Sequence, residues 1–119
     1  MLKVACIPAY NVENMIYDVV TRSKTVVDMV IVCDDGSVDD TIKQASKAGA
    51  VVISHEQNLG KGAALKSLFN YCIKINADIV VTIDGDGQFL PEEIPKLTTS
   101  LLENNSDVVI GYRFEDNEE

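Results

Sequence analysis

No apolar run in this chain approaches the ~20 residues needed to cross a bilayer, so nothing in it reads as a transmembrane segment. The opening Met1-Leu2-Lys3-Val4 runs straight into a strand-like stretch and has no signal-peptide pattern, which together point to a cytoplasmic setting. Basic residues are scarce: ten Lys and Arg face nineteen Asp and Glu, a net charge of −9. A nucleic-acid partner usually needs a basic face, so that class is set aside. Cysteine is sparse and odd in number. Cys6, Cys33 and Cys72 each sit in an apolar run, which predicts buried free thiols in a reducing compartment rather than a disulfide or a metal site. The single histidine, His55, reads as a plain loop residue. Repeats, linkers and low-complexity segments are missing, apart from the acidic end at 115–119, expected to be a solvated, disordered tail.

What remains, 1–114, is one domain, long enough to bury a core without staples. Apolar runs recur at 3–8, 29–33, 50–54, 79–83 and 107–110. Four connecting segments carry helical spacing. Met15, Ile16, Val19 and Val20 make a stripe in the first, with Asn11 as its N-cap. Ser37 followed by Asp40 resembles a capping box for the second, whose Ile42, Ala45 and Ala48 share a face. Ala64, Leu65, Leu68, Phe69, Cys72 and Ile73 mark the third. The fourth opens at Pro91-Glu92-Glu93, with Ile94, Leu97, Leu101 and Leu102 as its stripe. Strands that alternate with helices and are apolar throughout imply an α/β fold: a Rossmann-like, mostly parallel sheet with helices on both faces.

Polar residues then gather at the strand ends: Tyr10 and Asn11, Asp34-Asp35-Gly36-Ser37, His55-Glu56, Asp84 and Asp86, and Tyr112-Arg113. In an open parallel sheet these positions meet at one edge, outside the carboxyl ends, where ligands bind. Any α/β fold does this, but a concentration of carboxylates there should need a cation. Asp84-Gly85-Asp86-Gly87-Gln88 sets two hard oxygen donors one residue apart on a glycine-spaced turn, which suits Mg²⁺ or Mn²⁺ carrying phosphate oxygens. An Asp/Gly-rich turn is the bland alternative. Gly60-Lys61-Gly62 lacks the full phosphate-loop pattern and reads instead as glycines allowing close approach at a helix start.

Four segments in order, Ile7-Pro8-Ala9-Tyr10-Asn11, Val32-Cys33-Asp34-Asp35-Gly36-Ser37-Val38-Asp39-Asp40-Thr41, Asn58-Leu59-Gly60-Lys61-Gly62-Ala63-Ala64 and Asp84-Gly85-Asp86-Gly87-Gln88, resemble the family 2 inverting glycosyltransferases of the GT-A fold. The last segment is most similar to the dolichyl-phosphate mannose or glucose synthases. The resemblance implies a nucleotide-diphosphate sugar donor (UDP- or GDP-sugar), a divalent metal and a polyprenyl-phosphate acceptor. It implies that Pro8, Ala9 and Tyr10 contact the base, although a strand-ending turn with a half-buried tyrosine explains them equally well. It gives Asp35 the base edge with Asp34 in support, and leaves Ser37, Asp39 and Asp40 as helix caps. Lys61 falls near the nucleotide. Asp86 becomes the principal metal ligand, Asp84 its assistant toward ribose or metal waters, and Gln88 a further ligand. Arg113 faces phosphate or is a surface arginine. Glu13 stands one place beyond the acidic residue many relatives carry.

The family's domain runs roughly as long again, and the further half holds the acceptor segment and, for hydroxyl acceptors, the general base. No catalytic residue is therefore assignable here, and membrane association would come only through a part not in this chain. A donor-binding module without turnover is the competing expectation. An exposed fifth strand would favour self-association. Two other α/β classes fit poorly. A sugar-nucleotide pyrophosphorylase needs a Gly/Arg-rich loop where Pro8-Ala9-Tyr10-Asn11 stands, and a phospho-acceptor receiver needs its acidic clusters after strands one and three.

Overall fold

The computed structural model describes residues 1–83. They form β1 (Lys3–Ala9), α1 (Ile16–Ser23), β2 (Met29–Asp35), α2 (Thr41–Lys47), β3 (Val51–His55), α3 (Lys61–Lys74) and β4 (Ile79–Thr82). The four strands lie in the order β3-β2-β1-β4, and every neighbouring pair is parallel. The expected α/β architecture is therefore present, with β1 and β2 as near-continuous apolar strands because helices cover both of their faces. From β1 the chain steps outward to β3, then returns to the far side of β1 for β4. That reversal opens a crevice beyond the carboxyl end of β1.

Period-two alternation divides the side chains between two cores. Ala5, Ile7 and Ala9 of β1, Val30 and Val32 of β2, and Ile79 and Val81 of β4 point to the α1/α2 face. There they meet Ile16, Val19 and Val20 of α1 and Ala45 and Ala48 of α2. Val4, Cys6, Ile31, Cys33 and Val80 point the other way, onto Ala64, Leu68 and Cys72 of α3. Burial of each large aliphatic side chain contributes ~1.5–3 kcal/mol.

Several expectations need correction. Each of the first three strands runs further than its apolar run, because the ladder continues through Ala9↔Asp34 and Asp35↔His55. Asp34, Asp35 and His55 are thus strand residues, not loop residues. Asn11 does not cap α1, which starts at Ile16 with no side-chain cap. It sits instead at φ 52°, and its Oδ1 accepts the Val38 N–H at 2.9 Å. No Ser37–Asp40 capping box forms: Asp39 Oδ1 accepts the Thr41 N–H, while Ser37 Oγ accepts the N–H of Asn11. Met15, Ile42 and Ile73 are exposed rather than core residues. The buried residue at the start of α2 is Thr41, whose hydroxyl accepts the Val12 N–H. The three cysteines are buried and free, as expected, and Cys6 and Cys72 meet at 3.3 Å between β1 and α3. Their mutual hydrogen bond and burial push the Cys6 thiol up. Burial, followed by the nearby Asp35 and Asp34 charges, pushes Cys33 up to about 11.

Candidate functional site

The site is assembled from strand ends. Ala9 pairs with Asp34, and Asp35 pairs with His55, so the ends of three strands stand side by side. Alternation sends Asp35 to the α3 face, in line with Cys33, and sends Asp34 to the α1/α2 face, in line with Val32. On the α3 face a cleft of about 260 Å³ opens, lined by Pro8, Ala9, Tyr10, Asp35, Asn58, Gly60, Lys61 and Ala64. The structure thus brings together Pro8, Ala9, Tyr10, Asp35 and Lys61, five residues singled out from sequence. Asp84, Asp86, Gln88 and Arg113 lie outside the described residues, as do the fifth strand, the fourth helix and the acidic tail. Asp84 is nevertheless the next residue after Ile83, whose N–H donates to the Cys6 carbonyl at 2.9 Å.

Tyr10 lines the cleft and leaves 49% of its surface open, and an aromatic ring so exposed is suited to stacking. Asp35 is buried, at 4% exposure, and its carboxylate is well supplied with donors. Oδ1 accepts from the Leu59 N–H (2.9 Å) and bonds His55 Nδ1 (2.8 Å), and Oδ2 accepts from the Gly60 N–H (2.8 Å). Burial works against ionisation of Asp35. The bonds from His55, Leu59 and Gly60 outweigh it and hold the carboxyl below its ordinary value. Among the described residues, partners fill three of about four lone-pair positions and leave one on Oδ2. Gly60, at φ 103°, can present its N–H this way because it lacks a Cβ, and Lys61 then begins α3.

The acidic run after β2 proves largely structural. Asp39 Oδ1 accepts from the Thr41 backbone and hydroxyl, and its Oδ2 from the Glu13 N–H. Glu13 Oε1 in turn accepts the Asp40 N–H, so Glu13 and Asp39 pin the β1–α1 loop to the β2–α2 turn. Gly36, at φ 77°, closes the other side: a Cβ there would meet the backbone of Gln57 and Asn58 at 2.5 Å. These carboxylates are satisfied by N–H groups and do not call for a cation. The exception is Asp34: Oδ2 accepts the Ser37 N–H at 3.1 Å, but the buried Oδ1 has no partner among the described residues. No group of three His, Cys, Asp or Glu side chains among the described residues could hold a metal.

Sequence reasoning missed two residues. Asn58 lines the cleft and donates from Nδ2 to the Asp35 carbonyl at 3.2 Å. His55 is part of the Asp35 network rather than a plain loop residue. The available signal was its place at the end of an apolar run, where parallel pairing sets it beside a strand-end carboxylate.

A switch-point crevice with a carboxylate, a glycine-opened helix start and an exposed aromatic defines a ligand-binding α/β protein. Solved neighbours specify the class as GT-A. Glucosyl-3-phosphoglycerate synthase from Mycobacterium tuberculosis, in complex with Mn²⁺ and UDP-glucose, is 38% identical with a TM-score of 0.68, over 85% of this chain and 39% of that one. The pattern described as "Glycosyl transferase family 2" matches residues 4–119, and the chain belongs to that family. A UDP-N-acetylglucosamine--dolichyl-phosphate N-acetylglucosaminyltransferase of Methanococcus voltae is 34% identical over 95% of this chain and 52% of its own length. Protein RfbJ of Shigella flexneri is 32% identical over 95% of this chain and 86% of its own length. Against the first three curated relatives the chain spans about half their length, 52%, 47% and 51%.

Proposed function

We propose that the cleft holds the nucleoside diphosphate of an activated sugar, as the donor site of an inverting glycosyl transfer toward a polyprenyl phosphate. The observation that carries this reading is the convergence of Tyr10, Asp35 and Lys61 on one cleft at the sheet's switch point. In it Tyr10 stacks on the base, Pro8 and Ala9 form the floor, and Asp35 accepts from the base edge. Lys61 meets the diphosphate, and the family resemblance gives Arg113 the same role. Relatives named for dolichyl- and undecaprenyl-phosphate acceptors support the lipid-phosphate half of the proposal. A phosphate acceptor is already ionised and needs no general base.

The count on Asp35 favours UDP over GDP. One open lone pair matches the single imide N–H of uracil. Guanine offers an N–H and an amino group side by side, and the second would need an acceptor other than the one Asp35 leaves open among the described residues.

Mg²⁺ or Mn²⁺ would be held by Asp86, with Asp84 and Gln88 assisting, and would stabilise charge on the departing diphosphate. Such an ion binds through one or two carboxylates plus phosphate oxygens, a donor set that Asp86 and Asp84 would supply.

One observation favours a second reading, a donor-binding module without turnover: RfbJ is covered over 86% of its length, so it is not much longer than this chain. Calorimetric titration with UDP- and GDP-sugars, with and without Mn²⁺, followed by product detection on a polyprenyl phosphate, separates the two. Metal-dependent UDP binding with product supports transfer. Binding without product supports the module, and no binding defeats both. Self-association through a sheet edge is a further expectation, refuted by a monomeric mass across concentrations in light scattering.

A further inference from the structure

His55 stands next to the cleft without lining it. Its Nδ1 bonds Asp35 Oδ1 at 2.8 Å, its Nε2 bonds Ser67 Oγ at 2.9 Å, and Cys33 Sγ lies 3.7 Å from Nε2. The ring is mostly buried and joins three elements: β2 through Asp35, its own β3, and α3 through Ser67. A carboxylate accepts only, so Nδ1 carries the hydrogen on this bond. In the neutral ring Nε2 is then the acceptor for the Ser67 hydroxyl.

Ser67, His55 and Asp35 stand in the hydrogen-bond order of a hydrolytic triad. Ser67 lies in the middle of α3, however, and neither it nor His55 is among the residues that line the cleft where a substrate would bind. The string acts on Asp35 instead. Without the imidazole, the carboxylate would keep the Leu59 N–H on Oδ1 and the Gly60 N–H on Oδ2, both from one loop. The imidazole adds a third, charge-assisted bond from a different element, β3, which fixes the carboxylate plane and the direction of the lone pair that the described residues leave open on Oδ2.

We propose that His55 is a positioning residue that orients the Asp35 carboxylate for the nucleobase, with Ser67 holding the ring in the required tautomer. This rests on the reading of the cleft as a nucleotide site.

The test separates the two ends of the ring. An asparagine amide nitrogen replaces Nδ1, and a glutamine amide replaces Nε2. UDP affinity in the presence of Mn²⁺ is measured on the full chain and on His55→Asn, His55→Gln and Ser67→Ala, each with its thermal midpoint. His55→Gln is expected to weaken UDP about tenfold, consistent with loss of one charge-assisted bond. His55→Asn should restore affinity to within about threefold of the unsubstituted chain, and Ser67→Ala should have a smaller effect than His55→Gln. Equal losses in His55→Asn and His55→Gln that track the thermal midpoint would mean a packing role only and overturn the proposal, as would no loss in either. Failure of the unsubstituted chain to bind UDP would sink the nucleotide reading, and this proposal with it. A second readout is independent of nucleotide: ¹⁵N shifts of the free protein at mildly alkaline pH should show the Nδ1–H tautomer. The Nε2–H tautomer would overturn the role of His55 even if UDP binds.

Discussion

The two faces of the sheet are built from the same strands and differ in what they contain. The α1/α2 face is an aliphatic core in which Ala5, Ile7 and Val32 meet Ile16, Val19 and Val20. The α3 face begins the same way, with Val4, Ile31 and Leu68, but changes character toward the carboxyl ends of the strands. It carries all three cysteines, then Asp35 with His55, then the open cleft. Among the described residues, one face is covered by two helices, and the other by a single helix that starts beside the cleft. Stability and ligand binding are thereby placed on alternate residues of the same strand, and they should respond separately to substitution.

The largest effect should come from the closed face. Ile16→Ala removes a fully buried side chain and is expected to cost ~2–5 kcal/mol in denaturant unfolding. UDP affinity of the molecules that remain folded should be unchanged. A parallel loss of affinity would show that the two faces are coupled.

Next is Asp35→Asn, on the open face. It puts an NH₂ where one of the acceptors of the Leu59, Gly60 and His55 bonds now stands, leaving a buried donor unpaired. Unfolding free energy should drop by ~1–3 kcal/mol. UDP binding should weaken at least tenfold, more than the stability loss explains.

Acid should act on the open face and its supporting turn before the closed one. Asp35 and Asp39 both have carboxyls held below the ordinary value, against burial, by their hydrogen bonds. A lowered folded-state pKa stabilises the fold above the unfolded carboxylate range, and that stability is lost as pH falls through the folded value. Midpoints measured from pH 7 downward should therefore be flat at first and fall only below the usual carboxylate range. A fall beginning near neutrality would contradict the assignment.

The smallest effect is predicted for Ile42→Ser. Sequence spacing puts Ile42 on the apolar stripe of α2, but it is 40% exposed, so the change should stay within about 0.5 kcal/mol.

Ile42 shows where periodicity stops being informative. α2 spans seven residues, about two turns, and a stripe that short is compatible with several rotations about the helix axis. Thr41 took the buried place because its hydroxyl bonds both Asp39 and the Val12 N–H, a long-range arrangement no local pattern reveals. Asn11 and Ser37 have cap-forming chemistry but spend it on each other's segments, 26 residues apart in the case of the Asn11 N–H to Ser37 Oγ bond.

The order of the strands and helices, the burial of the thiols and the meeting of Tyr10 and Asp35 at one edge were all legible in the sequence, whereas Lys61 was placed there only by the family resemblance. Each follows from local alternation and from the rule that parallel strands end at the same side. Only the tertiary structure decided that the described residues leave Asp35 one open lone pair, that Asp39 of the acidic turn is satisfied by N–H groups and the Thr41 hydroxyl, and that His55 stands on Asp35. Those facts depend on the register between β2 and β3 and on the rotation of α3 over the sheet. Register and rotation are set by packing among residues distant in the chain, which one-dimensional spacing does not contain.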